Sequence, residues 1–136
     1  MQLKHHQYPL PVSETFLELI QHELDSLCVY EKGIIILQFK DPGYSFDKGG
    51  YHPVEIALEA TGKLQYITDF SYVGSPPFVE LAKEIDFDFG LGRFQHLGYD
   101  YPISKVQQLY VIWESNFIAY HSMDVYEVSM EVQCDD

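Results

Sequence analysis

Six side chains in this sequence have the types and spacing for chemistry: Asp41, Asp47, His52, Asp69, Asp86 and Asp88. One imidazole among several carboxylates is a donor set for Mg²⁺, Mn²⁺ or Ca²⁺. Structural zinc favours thiolates and several imidazoles. A carboxylate pair such as Asp86 with Asp88, or Asp69 with His52, would equally serve as general acid and base. Four of the six lie in the stretch 41–74, DPGYSFDKGGYHPVEIALEATGKLQYITDFSYVG, together with Tyr44, Tyr51, Tyr66 and Tyr72. The site is expected there. Asp41, Tyr44, Asp47, Tyr51, His52, Asp69 and Tyr72 are candidates for touching a ligand or partner. His52, Asp69, Asp86 and Asp88 are candidates for a metal. No catalytic residue is assigned. The plainer account is that loop aspartates cap backbone amides and strand carboxylates sit in water.

No motif names a reaction. There is no HExxH or CxxC spacing, no GxSxG elbow and no P-loop. Gly90-Leu91-Gly92 lacks the third glycine of a dinucleotide fingerprint. The 41–53 loop does not carry the alternating ligands and terminal Glu of an EF-hand. Cys28 follows an apolar helix and is expected to be buried and inert, while Cys134 lies in the tail. His5-His6 near the start reads as surface.

The charge narrows the partners. With 21 Asp+Glu against 8 Lys+Arg, the net charge is −13. Phosphate-rich nucleic acid and anionic membranes are disfavoured, and a basic protein or a cation is compatible. No apolar run approaches the roughly 20 residues that span a bilayer, and MQLKHHQYPLPV lacks the apolar core of a signal peptide. Two cysteines make no disulfide framework, so a reducing, cytoplasmic setting is expected.

Several elements must position the candidates. After an extended arm at 1–12, Ser13 caps a helix over 14–27, with Phe16, Leu17, Ile20, Leu24 and Leu27 on one face. Strand-like residues at 28–30 and a strand buried on both faces at 34–39 are expected to flank Glu31-Lys32-Gly33, a turn or a bulge. The polar loop 41–53 then feeds a hairpin with arms at 54–60 and 64–73, turning at Gly62. On the returning arm, Leu64, Tyr66 and Thr68 are expected on one face, and Ile67 and Asp69 on the other. Ser75-Pro76 predicts a short helix over 76–83. A strand at 85–89 projects Asp86 and Asp88 together, and 90–102 reads as a loop, with room for one irregular strand. Ser104 and Gln107 form a capping box opening a main helix over 105–123, in which Trp113 is core filler. The last strand, 126–132, alternates apolar residues with Glu127 and Glu131.

The chain is therefore expected to be one domain over 1–136, ending in a flexible tail at 134–136. The fold class is α+β: a mainly antiparallel sheet of about 4–5 strands with two main helices on one face. The other face would carry Glu55, Glu59, Glu127 and Glu131.

The runs DPGYSFDKGGYHPVEI, YITDFSYVG and ELAKEIDFDF resemble the DUF2787 family, small bacterial proteins with no assigned function. That resemblance implies a single-domain cytoplasmic bacterial protein and brings no catalytic residues. The function expected is a non-enzymatic protein-interaction module, acting through a protein partner or self-association and needing no cofactor. The alternative is a divalent-metal-assisted hydrolase or small-ligand binder centred on the 41–53 loop and the hairpin, with Mg²⁺, Mn²⁺ or Ca²⁺.

Overall fold

The apolar spacing of the first helix buries what it predicts. In the computed structural model, which describes Leu3, 6–27 and 33–133, helix α1 runs Glu14–Ser26 and buries Phe16, Leu17, Ile20 and Leu24. Ser13 Oγ accepts from Phe16 N at 3.0 Å, closing the first turn. Ser13 N donates to Glu114 Oε2 at 3.0 Å, which ties this turn to the second helix. The expected strand at 28–30, buried Cys28, residues Glu31 and Lys32, His5 and the tail with Cys134 lie outside the described residues.

Strand β1 (Ile34–Lys40) buries Ile35, Ile36 and Leu37 in succession, as a central strand must. Strands β2 (Val54–Glu59), β3 (Leu64–Ser75), β4 (Phe78–Asp88), β5 (Arg93–His96) and β6 (Tyr99–Pro102) follow as a meander. A 3₁₀ turn, Ile103–Val106, leads into α2 (Gln107–Ser122), and β7 (Glu127–Gln133) ends the described chain. The sheet order is β6-β5-β4-β3-β2-β1-β7, every pair antiparallel.

Among the described residues, seven strands replace the expected four or five. The segment expected as a helix over 76–83 is the first half of β4. Its Phe78, Leu81 and Ala82 have helical spacing, but β3 offers a long free edge. The segment pairs along all of it, up to Ser75↔Phe78 across the Pro76-Pro77 turn. Tertiary pairing overrides local preference here. The glycine-rich stretch 90–102 likewise contains two strands, joined at Leu97-Gly98. The expected capping box at Ser104 is also absent: α2 starts at Gln107, with no side-chain cap.

Both helices cover one face. Ile35, Leu37 and Phe39 of β1, Val54, Ile56 and Leu58 of β2, and Phe87 of β4 form one core with α1 and with Tyr110, Trp113 and Phe117 of α2. Phe117 is its hub, stacked on Trp113 at 5.2 Å and meeting Phe39 edge-on at 5.0 Å. The register puts Glu55, Tyr66, Thr68, Asp86 and Glu131 on the opposite face. There Tyr66 Oη donates to Glu55 Oε2 at 2.7 Å.

Two irregularities shape the sheet. Ala57↔Tyr66 is followed by Leu58↔Leu64, so Gln65 is an extra residue, and Leu64 joins Ile67 on the helix side rather than Tyr66. Asp69↔Ile85 is followed by Phe70↔Lys83, so Glu84 is extra on β4. Beyond that second bulge β3 and β4 continue alone, because β2 stops at Asp69 and β5 at Ile85. Among the described residues, no helix is long and apolar enough to cross a membrane.

Candidate functional site

Asp69 breaks the pattern of its own strand. It follows Ile67 on the helix-covered face, beneath Trp113 of α2. Its strand partners are Val54 and Ile85, both apolar. A carboxylate there needs partners to offset its desolvation. It has three. Oδ2 accepts from Trp113 Nε1 at 2.9 Å. Oδ1 is hydrogen-bonded to His52 Nδ1 at 2.9 Å. Glu84 Oε2 reaches the same nitrogen at 3.1 Å.

Strict alternation would turn Glu84 to the other face of the sheet. The bulge at this position sets two β4 residues, Glu84 and Ile85, against the single Asp69. A bulge re-aims a side chain in this way, and here it delivers a second carboxylate to the Asp69 side. His52 comes from the end of the 41–53 loop, one residue before Pro53. One ligand-type atom each from His52, Asp69 and Glu84 lies within 4.8 Å of the others. Their side chains are 39%, 14% and 29% exposed, which places the cluster at a surface opening.

That opening is a cleft of about 350 Å³. Tyr51, Trp113, Tyr120 and Tyr126 give it aromatic walls, and Asn116 adds an amide. Tyr51 and Tyr120 meet at 4.7 Å between ring centres. The hydrogen bond to Asp69 and the two carboxylate charges raise the His52 pKa above the ordinary imidazole value, while partial burial works against them. Burial pushes the Tyr126 hydroxyl well above its ordinary range, so it stays protonated.

The loop is built to present His52. Asp41 Oδ1 accepts from Gly43 N at 2.8 Å and its Oδ2 from Tyr51 N at 3.0 Å. Ser45 and Gly49 exchange backbone hydrogen bonds at 3.1 and 2.9 Å. Gly50 has φ +127°, and a Cβ there would stand 2.8 Å from Asp41 Oδ2, so the turn requires glycine. Tyr44 stacks on Tyr72 at 5.1 Å, accepts from Tyr72 N through its hydroxyl at 3.2 Å, and sits 5.4 Å from the His52 ring.

The candidates named from sequence thus separate. His52 and Asp69 meet. Asp41, Tyr44 and Tyr72 are braces behind His52, and Tyr51 lines the cleft. Asp47 is exposed on the loop and outside the cluster. Asp86 and Asp88 do not join: Asp86 pairs with Thr68 on the opposite face, accepting from its Oγ1 at 2.9 Å. Asp88 Oδ1 accepts from Leu91 N at 2.9 Å and caps a turn. Trp113 is core filler on its ring faces, as expected, but its N–H also holds Asp69. Local sequence does not single out Glu84, because a helix over 76–83 leaves no place for a bulge. The one readable sign was Asp69, a carboxylate in phase with buried Ile67.

Over residues 14–131 the chain matches the family described as Protein of unknown function (DUF2787), and it belongs to that family. Two solved structures have the same fold. The hypothetical protein VC0508, from the VSP-II pathogenicity island of Vibrio cholerae, aligns with a TM-score of 0.81 at 36% identity, covering 93% of this chain and 98% of its own. The conserved hypothetical protein VC1805, from pathogenicity island VPI-2 of Vibrio cholerae, aligns with a TM-score of 0.75 at 35% identity, again covering 93% and 98%. That structure is described as sharing structural homology with the human P32 protein. No curated protein matches the chain.

Proposed function

We propose that this member of the DUF2787 family is a small-ligand-binding protein whose ligand enters the cleft beside His52, Asp69 and Glu84. One observation carries the reading. Three separate segments of chain, one of them bulged, bring an imidazole and two carboxylates to one point in an aromatic-walled cleft. Concave sites of this kind, mostly apolar with a few convergent polar groups, are where small ligands bind. The braced loop supports it, since a pre-organised site loses less entropy on binding.

Trp113 is the only tryptophan, so its indole N–H gives one resolvable signal in an amide correlation spectrum. Mixtures of small molecules should include some that shift this signal, and Tyr120→Ala should weaken the same mixtures. A broad screen that leaves the Trp113 signal unmoved removes the reading.

A second reading, protein contact by self-association, is favoured by the outer face of α2. Leu109, Ile112, Asn116, Ala119 and the following Met123 are spaced three or four apart, and all are exposed. Ile112 is 59% exposed and Met123 57%. The only Asp, Glu, Lys or Arg in α2 is Glu114, which is buried and holds Ser13 N. In a chain of net charge −13, this is a stripe where a second copy meets no exposed acid. Sedimentation equilibrium should show a dimer that Ile112→Glu converts to monomer. A monomer at every concentration tested removes this reading.

A further inference from the structure

Resting on the reading of the cleft as a ligand site, we propose that its ligand includes a divalent transition-metal ion of the Mn²⁺ or Zn²⁺ class, held by His52 Nδ1 and by one carboxylate oxygen each of Asp69 and Glu84. Four observations converge on it.

The first is spacing. Nδ1 stands 2.9 Å from Asp69 Oδ1 and 3.1 Å from Glu84 Oε2. Adjacent ligands of an octahedral ion with bonds of about 2.1 Å are about 3.0 Å apart, and those of tetrahedral zinc about 3.3 Å. The second is charge. Nδ1 carries at most one hydrogen, which can point at only one of the two oxygens that flank it. Among the described residues, no Lys or Arg pairs with either carboxylate. One imidazolium facing two carboxylates leaves negative charge at the mouth of the cleft, and a cation would neutralise it.

The third is the outer layer. Carboxylates that bind metals are themselves held by hydrogen bonds, and Trp113 Nε1 holds the second oxygen of Asp69 at 2.9 Å. The fourth is the opening. Three donors from the chain leave other coordination positions facing the cleft, where water or an organic ligand's oxygen would complete the shell. The donor set also selects the ion. Ca²⁺ takes six to eight oxygens and Mg²⁺ keeps an oxygen shell, whereas an imidazole nitrogen as one donor in three favours a transition ion.

The test titrates metal-stripped protein with MnCl₂, ZnCl₂, MgCl₂ and CaCl₂, following Trp113 fluorescence. Mn²⁺ and Zn²⁺ should each saturate at one equivalent, and paramagnetic Mn²⁺ should quench the emission. Glu84→Gln and Asp69→Asn should each weaken binding about tenfold or more, as should His52→Gln. Mg²⁺ and Ca²⁺ should bind at least about tenfold more weakly than Mn²⁺. Glu84 is partly exposed, so an unchanged melting temperature without metal checks that Glu84→Gln is folded. Replacing both His5 and His6 by Ala should leave the titration unchanged. Failure of Mn²⁺ and Zn²⁺ to bind at millimolar concentration overturns the proposal, as does binding that Glu84→Gln does not alter. If cations fail while small molecules still shift the Trp113 signal, the cleft stands and the metal falls. If both fail, both readings fall.

Discussion

Asp69 and Asp86 lie on neighbouring strands, one step apart in register, and both are largely shielded from water. They have opposite fates. Asp69 faces the helix layer, where it meets an imidazole, a second carboxylate and an indole N–H beside a cleft. Asp86 faces the other way, 8% exposed, and meets one threonine hydroxyl. Burial raises the Asp86 pKa, with the Thr68 hydrogen bond only partly opposing it. Residue type therefore does not make the site. What separates the two carboxylates is the face that strand alternation gives each, because Glu84 and the aromatic wall of α2 stand only on the Asp69 side.

The strongest way to break the contrast is to remove that wall. Phe117→Ala deletes the ring behind Trp113 and should destabilise the protein by about 3–5 kcal/mol in urea unfolding. A loss under about 1 kcal/mol would mean that the helix layer does not hold the Asp69 side in place. A smaller effect is expected from Asp69→Asn, which strips the charge from the hydrogen bonds to His52 and Trp113. It should cost about 1–2 kcal/mol near neutral pH, read from the same unfolding curves. An unchanged midpoint would mean that the Asp69 charge adds nothing to its hydrogen bonds.

The smallest effect should have the opposite sign. Asp86→Asn keeps an acceptor for Thr68 but removes a buried charge, so stability near pH 7 should rise by about 0.5–1 kcal/mol. The folded-state pKa of Asp86 lies above its unfolded value. Between the two, the folded state holds more protons, so its stability falls as pH rises through that window. Unfolding measured from about pH 4 upward should show the variant's advantage growing with pH until Asp86 is fully ionised. An advantage that is flat with pH would mean that its pKa is not raised.

Much of the frame is legible in the residues. Helix α1 follows from its apolar spacing and Ser13, β1 from three consecutive buried aliphatics, and β2 and β3 from their alternation. The net acidity of the open face follows from Glu55 and Glu131 alternating with apolar neighbours. Local pattern fails where distant pairing decides. Phe78, Leu81 and Ala82 satisfy a helix as well as they satisfy a strand, and only the free edge of β3 chooses. In β5 and β6, glycines hide strands too short to show a period. The site suffers most, because a bulge has no spacing of its own. His52 and Asp69 can be picked out by type, but their meeting depends on the pairing of β2 with β3, and the arrival of Glu84 depends on one residue of slack between β3 and β4.

The sheet order carries a consequence for the order of events in synthesis. Strands β1 to β6 each pair with a neighbour in sequence, so the meander can close as the chain emerges. Strand β7 is the exception. It is made last among the described strands and pairs with β1, the first of them. Until 127–133 have been made, the backbone donors and acceptors on that side of Ile34–Lys40, which buries three aliphatic residues in succession, lack their β7 partners. The growing chain therefore carries this edge bare until β7 is made, and it is the closing strand that ends the exposure.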